Sequence, residues 1–141
     1  VEDVLTVYAT AVLLREEDIR TAMEVLSEDE ACDSVMSATN FSFPIQRAVF
    51  KNDNGYAEMF DSKNYFKRSQ DLEEAKHDAG QFYLSKANVI RSGASLVNSK
   101  VRLLLLHRNN VIDIDTEEDF EIAEEKLQII KKKMVDSSWR F

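Results

Sequence analysis

The sequence has 141 residues, room for one domain with a real core, and its 44% apolar and 31% charged residues suit a globular rather than a disordered chain. A net charge of -8 argues against a nucleic-acid or anionic-membrane surface. The single cysteine, Cys32, excludes a disulfide within these residues and a cysteine-only zinc site. No apolar run reaches transmembrane length and no signal peptide is visible, so a cytoplasmic protein without membrane or nucleic-acid partners is the expectation. The apolar start at Val1 reads as the middle of a longer protein.

Residues 4–9 are rich in β-branched and apolar types and read as a strand, followed by a loop over 10–14. A helix is predicted over 16–26, with Glu16, Glu17 and Asp18 in the first turn, where the helix dipole favours anions. Ile19, Ala22, Met23 and Leu26 form its core stripe. An acidic turn leads to a second strand over 33–39, and strand, helix, strand opens an α/β sheet. From 40 to 100 the pattern is irregular. Residues 45–51 and 56–60 read as a hairpin about the Asn52-Asp53-Asn54-Gly55 turn. Residues 61–75 are polar with Tyr65, Phe66, Arg68 and Gln70 interleaved; 80–85 reads as a strand and 86–90 as a short helix. This middle section resembles an insertion that leaves the sheet and returns. Residues 101–106 read as a buried strand. The closing helix is predicted over 117–135, with Phe120, Ala123, Leu127, Ile130 and Met134 along one face, then a tail over 136–141. Lys131, Lys132 and Lys133 sit near its end, where cations complement the dipole, and Thr116 and Asp119 have capping-box spacing at its start.

The chemistry-bearing stretch is Val111 to Phe120. If extended, it puts Asp113 and Asp115 on one face and Ile112 and Ile114 on the other. Neighbouring carboxylates are comfortable when solvated or bridged by a cation. Magnesium takes one or two carboxylates, several waters and substrate phosphates. The alternative is that the pair decorates a strand end while Asp115 or Thr116 caps the helix. Gly55, Gly80 and Gly93 are too scattered for a phosphate loop or dinucleotide fingerprint, and His77 and His107 form no paired metal motif. Arg68 and Gln70 share a face if that segment is extended, where the arginine can clamp a carboxylate or phosphate; the alternative is a surface ion pair with Asp71 or Glu73.

Four ordered blocks carry a resemblance: Tyr8-Ala9-Thr10-Ala11, Arg68-Ser69-Gln70-Asp71-Leu72, His77-Asp78-Ala79-Gly80-Gln81-Phe82-Tyr83, and Asp113 through Phe120. Together they resemble the CMP-sugar-acid synthetases, the acylneuraminate cytidylyltransferase family. Phe43 through Ala48, with the block from His77, is most similar to the pseudaminic acid branch. The resemblance implies a three-layer α/β/α sandwich with a mostly parallel sheet, of nucleotide-diphospho-sugar transferase type, formed as one truncated domain over 1–141 with a dimerisation excursion at about 41–99. It implies transfer of CMP from CTP to a nine-carbon keto-sugar acid, of pseudaminic or sialic type, with release of pyrophosphate. It implies Asp113 and Asp115 as the catalytic, magnesium-binding carboxylates, and Tyr8, Arg68, Gln70, Asp78 and Tyr83 as substrate-binding residues in a homodimer. Val12 departs from a usual proline, Leu84 from a common aromatic residue, and Leu106-His107 from a frequent Leu-Pro pair. The family's glycine- and basic-rich nucleotide loop is absent from these residues, so the expectation is a C-terminal portion, inactive alone. The alternative is a non-catalytic fragment for dimerisation and sugar-acid binding.

Overall fold

The computed structural model describes residues 2–95 and 98–138, with the backbone alone over 133–138. Two compact units emerge, one of Val1–Thr39 with Asp78–Phe141 and the other of Asn40–His77. The second is shorter than the excursion read from the sequence, because residues 78–95 contribute to the first.

In the first unit, β1 (Asp3–Val7), β2 (Ser34–Asn40), β5 (Lys76–Lys86) and β6 (Val101–Leu105) form a four-stranded sheet in the order β1-β5-β2-β6. β1 runs antiparallel to β5, while β2 and β6 are parallel. Ser34 meets Ser85 and Ser37 meets Phe82, so β2 and β5 also run in opposite directions. The sheet is therefore mixed, which corrects the expectation of a mostly parallel one. The physical reason lies in the connections. The chain leaving β2 comes back beside it as β5 in the opposite direction, and β5 ends where β2 starts, so β6, which begins at that same end, runs parallel to β2.

The α1 helix (Glu16–Glu28) presents Ala22 and Leu26 to Cys32, Val35, Phe82 and Leu84, all of them buried. Burying that apolar stripe is what holds the helix to the sheet. Met23, assigned to the stripe, is instead 56% exposed, and Val25 packs against the core in its place. Arg15 grips the buried Asp18 through two nitrogens at 2.8 and 2.6 Å, which neutralises a carboxylate in the first turn. β2 is buried although it is rich in small polar residues, because its hydroxyls are bonded: Ser34 to Ser85 at 2.8 Å, Ser37 to the Phe82 backbone, Thr39 to the Leu106 carbonyl at 3.1 Å.

β6, expected to be buried, is an edge strand with Leu103 and Leu105 about half exposed. It neighbours only β2 among the described strands. The short α2 (Ala87–Arg91) and the long α3 (Glu117–Ser138) complete the unit. Along α3, Ala123 is buried and Leu127 and Ile130 are half-buried, but Phe120 is exposed; the side chain of Met134 and residues 139–141 of the expected tail lie outside what is described.

In the second unit β3 (Val49–Lys51) and β4 (Ala57–Met59) make the expected hairpin. Gly55 supplies the positive φ of 85° at its turn, and Asn52 Oδ1 accepts from the amides of Asn54 and Tyr56. Residues 45–47 form a 3-10 turn rather than the start of the strand.

Candidate functional site

Antiparallel pairing of β1 with β5 sets Thr6 opposite Tyr83, and the Tyr8 amide extends that register by donating to the Gln81 carbonyl at 2.9 Å. Tyr8 and Tyr83 therefore stand diagonally on one face, where long side chains reach each other. Their ring centroids are 5.8 Å apart and their hydroxyls 3.2 Å apart. The Tyr83 hydroxyl donates to Asp78 Oδ2, and Asp78 Oδ1 accepts the Gly80 amide at 2.8 Å. Burial, then the Asp78 and Tyr8 contacts, push the Tyr83 ionisation well above its usual range.

Within β5, Gly80 has φ +63°, a left-handed conformation that only glycine adopts freely. A Cβ there would sit 3.8 Å from Asp113 Oδ1, so this carboxylate lies against the glycine backbone. Three of the residues read from the sequence, Tyr8, Asp78 and Tyr83, thus form one hydrogen-bonded chain, and Asp113 lies beside the turn that anchors it.

Asp113 is aimed by its surroundings. A 3-10 turn at Arg108–Asn110 precedes it. The buried Gln81 donates its amide to the Asn110 carbonyl, and Lys126 of α3 donates to the carbonyls of Arg108 at 3.3 Å and Val111 at 2.5 Å. Burial, and then Arg108, lower the Lys126 ionisation. Past the turn, Ile112 and Ile114 are half-buried while Asp113 and Asp115 are exposed. Thr116 and Asp119 close a reciprocal cap: the Thr116 amide donates to Asp119 Oδ2 at 2.9 Å, and the Asp119 amide donates to Thr116 Oγ1 at 3.2 Å. Asp119 also accepts from the Asp115 amide at 3.2 Å, tying the second acidic residue to the start of the helix.

Gln81 and Lys126 escaped the sequence reading. The signal for Lys126 was its place three residues after Ala123 on the inward side of an otherwise charged helix. Nothing local marked Gln81.

Arg68 and Gln70 belong to the second unit. Gln70 lies on a 3-10 turn over Ser69–Asp71 and Arg68 just before it, so the two do not share one extended segment, which corrects the shared-face reading. Arg68 pairs with Asp71 at 2.8 and 3.2 Å, the surface ion pair that the sequence left open. The same unit holds an open cavity of about 230 Å³ whose lining includes Phe41, Pro44, Ser69 and Lys76.

Among the described residues no group of three or more His, Cys, Asp or Glu side chains could hold a metal. An ion that keeps most of its waters and leans on substrate phosphates needs only one or two carboxylates. The exposed, oxygen-only pair Asp113 and Asp115 fits that case.

The fold has a counterpart among solved structures. The 4-diphosphocytidyl-2C-methyl-D-erythritol synthase of Anaerococcus prevotii superposes with a TM-score of 0.57 over 90% of this chain and 59% of that one, at 18% identity. That likeness gives the fold class, a mixed α/β arrangement. In sequence, the chain is 38% identical over 122 residues to the pseudaminic acid cytidylyltransferase of Campylobacter jejuni, covering 86% of this chain and 52% of that protein. It is 29% identical over 127 residues to a Helicobacter pylori protein named pseudaminic acid cytidylyltransferase and UDP-2,4-diacetamido-2,4,6-trideoxy-beta-L-altropyranose hydrolase, covering 90% of this chain and 24% of that one. No protein-family model matches. The resemblance to the acylneuraminate cytidylyltransferases, and to the pseudaminic acid branch in particular, therefore holds over most of the chain. The chain spans about half the length of the Campylobacter relative it matches.

Proposed function

We propose that this chain supplies the sugar-acid and metal-facing part of a cytidylyltransferase that activates a nine-carbon keto-sugar acid with CTP. The observation that carries this reading is the joining of Tyr8, Tyr83 and Asp78 into one polar chain with Asp113 next to its anchoring glycine. It brings together residues from three separated blocks of the resemblance, and the names of the relatives point to the same reaction class. Pseudaminic acid is the favoured substrate, in keeping with those names.

Asp113 and Asp115 would hold magnesium, which when bound neutralises charge on phosphate oxygens. The protein's own groups would bind and orient. Tyr8, Asp78 and Tyr83 would meet sugar substituents, and Gly80 keeps the backbone low enough for a ligand to approach. Arg68 and Gln70 enter this reading through the resemblance alone. Gly55, Gly80 and Gly93 are too scattered to form a glycine-rich phosphate loop for the nucleotide.

A homodimer through the second unit belongs to the same proposal. Phe43, Tyr56, Phe60, Tyr65 and Phe66 are each well over half exposed there, and rings of this kind are enriched in interface cores.

Pyrophosphate release from CTP and pseudaminic acid, in a protein extended to the length of its curated relatives, tests the reading. Turnover that falls by orders of magnitude in Asp115→Asn, with an unchanged unfolding midpoint, supports it. Undiminished turnover at limiting magnesium overturns the metal assignment.

A further inference from the structure

We infer that the Tyr8–Tyr83–Asp78 chain has a fixed proton order, and that this order makes the site select ligands through N–H or O–H donors, an acylamino N–H above all. The inference rests on the sugar-acid reading and deepens it.

The order follows from counting hydrogens. The Asp78 carboxylate has none to give. Its Oδ1 is taken by the Gly80 amide and its Oδ2 by the Tyr83 hydroxyl. The single hydrogen of Tyr83 is thereby committed. The 3.2 Å contact between the tyrosine hydroxyls must then be made by the hydrogen of Tyr8. Both phenolic hydrogens run inward toward Asp78. What the chain presents outward is oxygen lone pairs, from Tyr8, which is exposed, and from the half-buried Tyr83. A ligand donor is satisfied by them. A carbonyl or ether oxygen in the same place meets only acceptors, and a pair of facing acceptors leaves both unbonded.

Asp78 sets this polarity because it is held from both sides. In Asp78→Asn, the side-chain oxygen keeps the Gly80 amide, so the NH2 group faces Tyr83. Tyr83 must then accept, its hydrogen passes to Tyr8, and the Tyr8 hydrogen points outward. One substitution of nearly equal shape reverses the chain from acceptor-ended to donor-ended.

The test has a readout without ligand and one with it. Tyrosinate absorbance, with Tyr83→Phe as the subtraction standard, should show Tyr83 ionising at a lower pH in Asp78→Asn than in the parent. There a donor replaces the carboxylate beside the phenolate. With ligand, dissociation constants from ligand-observed NMR are compared for pseudaminic acid and for analogues in which each acylamino N–H in turn is replaced by an ester oxygen. The parent should favour the N–H compound by about tenfold or more for one position. Asp78→Asn should bring that ratio to one or invert it. Tyr8→Phe, which removes the outer oxygen and leaves the Tyr83–Asp78 bond intact, should also abolish it. An unchanged Tyr83 ionisation in Asp78→Asn overturns the proton order, and an unchanged ratio there overturns the ligand selection. Absence of any sugar-acid binding by the parent, with the ionisation shift present, overturns the sugar-acid reading and leaves the proton order standing.

Discussion

Tyr83 is the residue in which burial, charge and geometry meet. Its raised ionisation means that the folded protein holds the phenolic proton more tightly than the unfolded chain does. The folded state then binds more protons above the ordinary tyrosine range, so the associated stability is complete below about pH 10 and is lost as pH climbs further. Tyr83→Phe should flatten the alkaline fall in the urea midpoint; an alkaline limb as steep as that of the parent would place the effect elsewhere. Gly80 makes a second prediction at this scale. An alanine would have to take a left-handed conformation costing about 1 kcal/mol, with its methyl against Asp113. Gly80→Ala should lower stability by about that amount and displace the Asp113 carboxyl resonance in NMR spectra, whereas Gly93→Ala, which meets nothing nearby, should leave that resonance unmoved.

Among the elements, β5 does most of the organising. It carries Asp78, Gly80 and Tyr83 toward the site, Gln81 to the turn before Asp113, and Phe82 and Leu84 into the core under α1. Phe82 is fully buried, so Phe82→Ala should cost about 3–5 kcal/mol, a large share of what a domain of this size has to lose. Chemical denaturation measures it directly, and a loss below 1 kcal/mol would mean that the core is not arranged this way. The start of α3 is the other element with a chemical consequence. Asp119 is held below the usual carboxylate range, first by the Thr116 hydroxyl and then by the Asp115 and Thr116 amides. A depressed carboxylate stabilises above its unfolded value and loses that contribution as pH falls through the folded one. The cap should therefore open in acid below about pH 4. Amide exchange at residues 115–119 should quicken there, and Asp119→Ala should reproduce the fast exchange at neutral pH.

Over the molecule as a whole, the most exposed rings sit in one unit and the carboxylate pair in the other. Phe66 is 91% exposed, a poor place for a phenyl ring that has no use. The homodimer proposal predicts twice the monomer mass by light scattering at micromolar concentration, falling to the monomer mass in Phe66→Lys with unchanged circular dichroism. A monomeric parent chain under those conditions would count against an interface built from this unit alone. No described helix is long and apolar enough to cross a membrane.

The sequence by itself determined the order of helices and strands in the first unit, the hairpin at Gly55, the cap at Thr116 and Asp119, and the resemblance that named the reaction class. These are local signals: side-chain period, turn chemistry and short blocks are written within a few residues of where they act. Only the tertiary structure decided that the sheet is mixed, that Met23 and Leu103 face outward, and that Arg68 is paired with Asp71 on a turn. It alone joined Tyr8 to Tyr83 across 75 positions of chain. Strand order and the burial of a given apolar residue depend on which element arrives beside it, and an isolated segment of sequence does not encode its neighbour. The polarity of the tyrosine chain depends one step further still, on a hydrogen that goes to Asp78 because the Gly80 amide has already fixed where that carboxylate points.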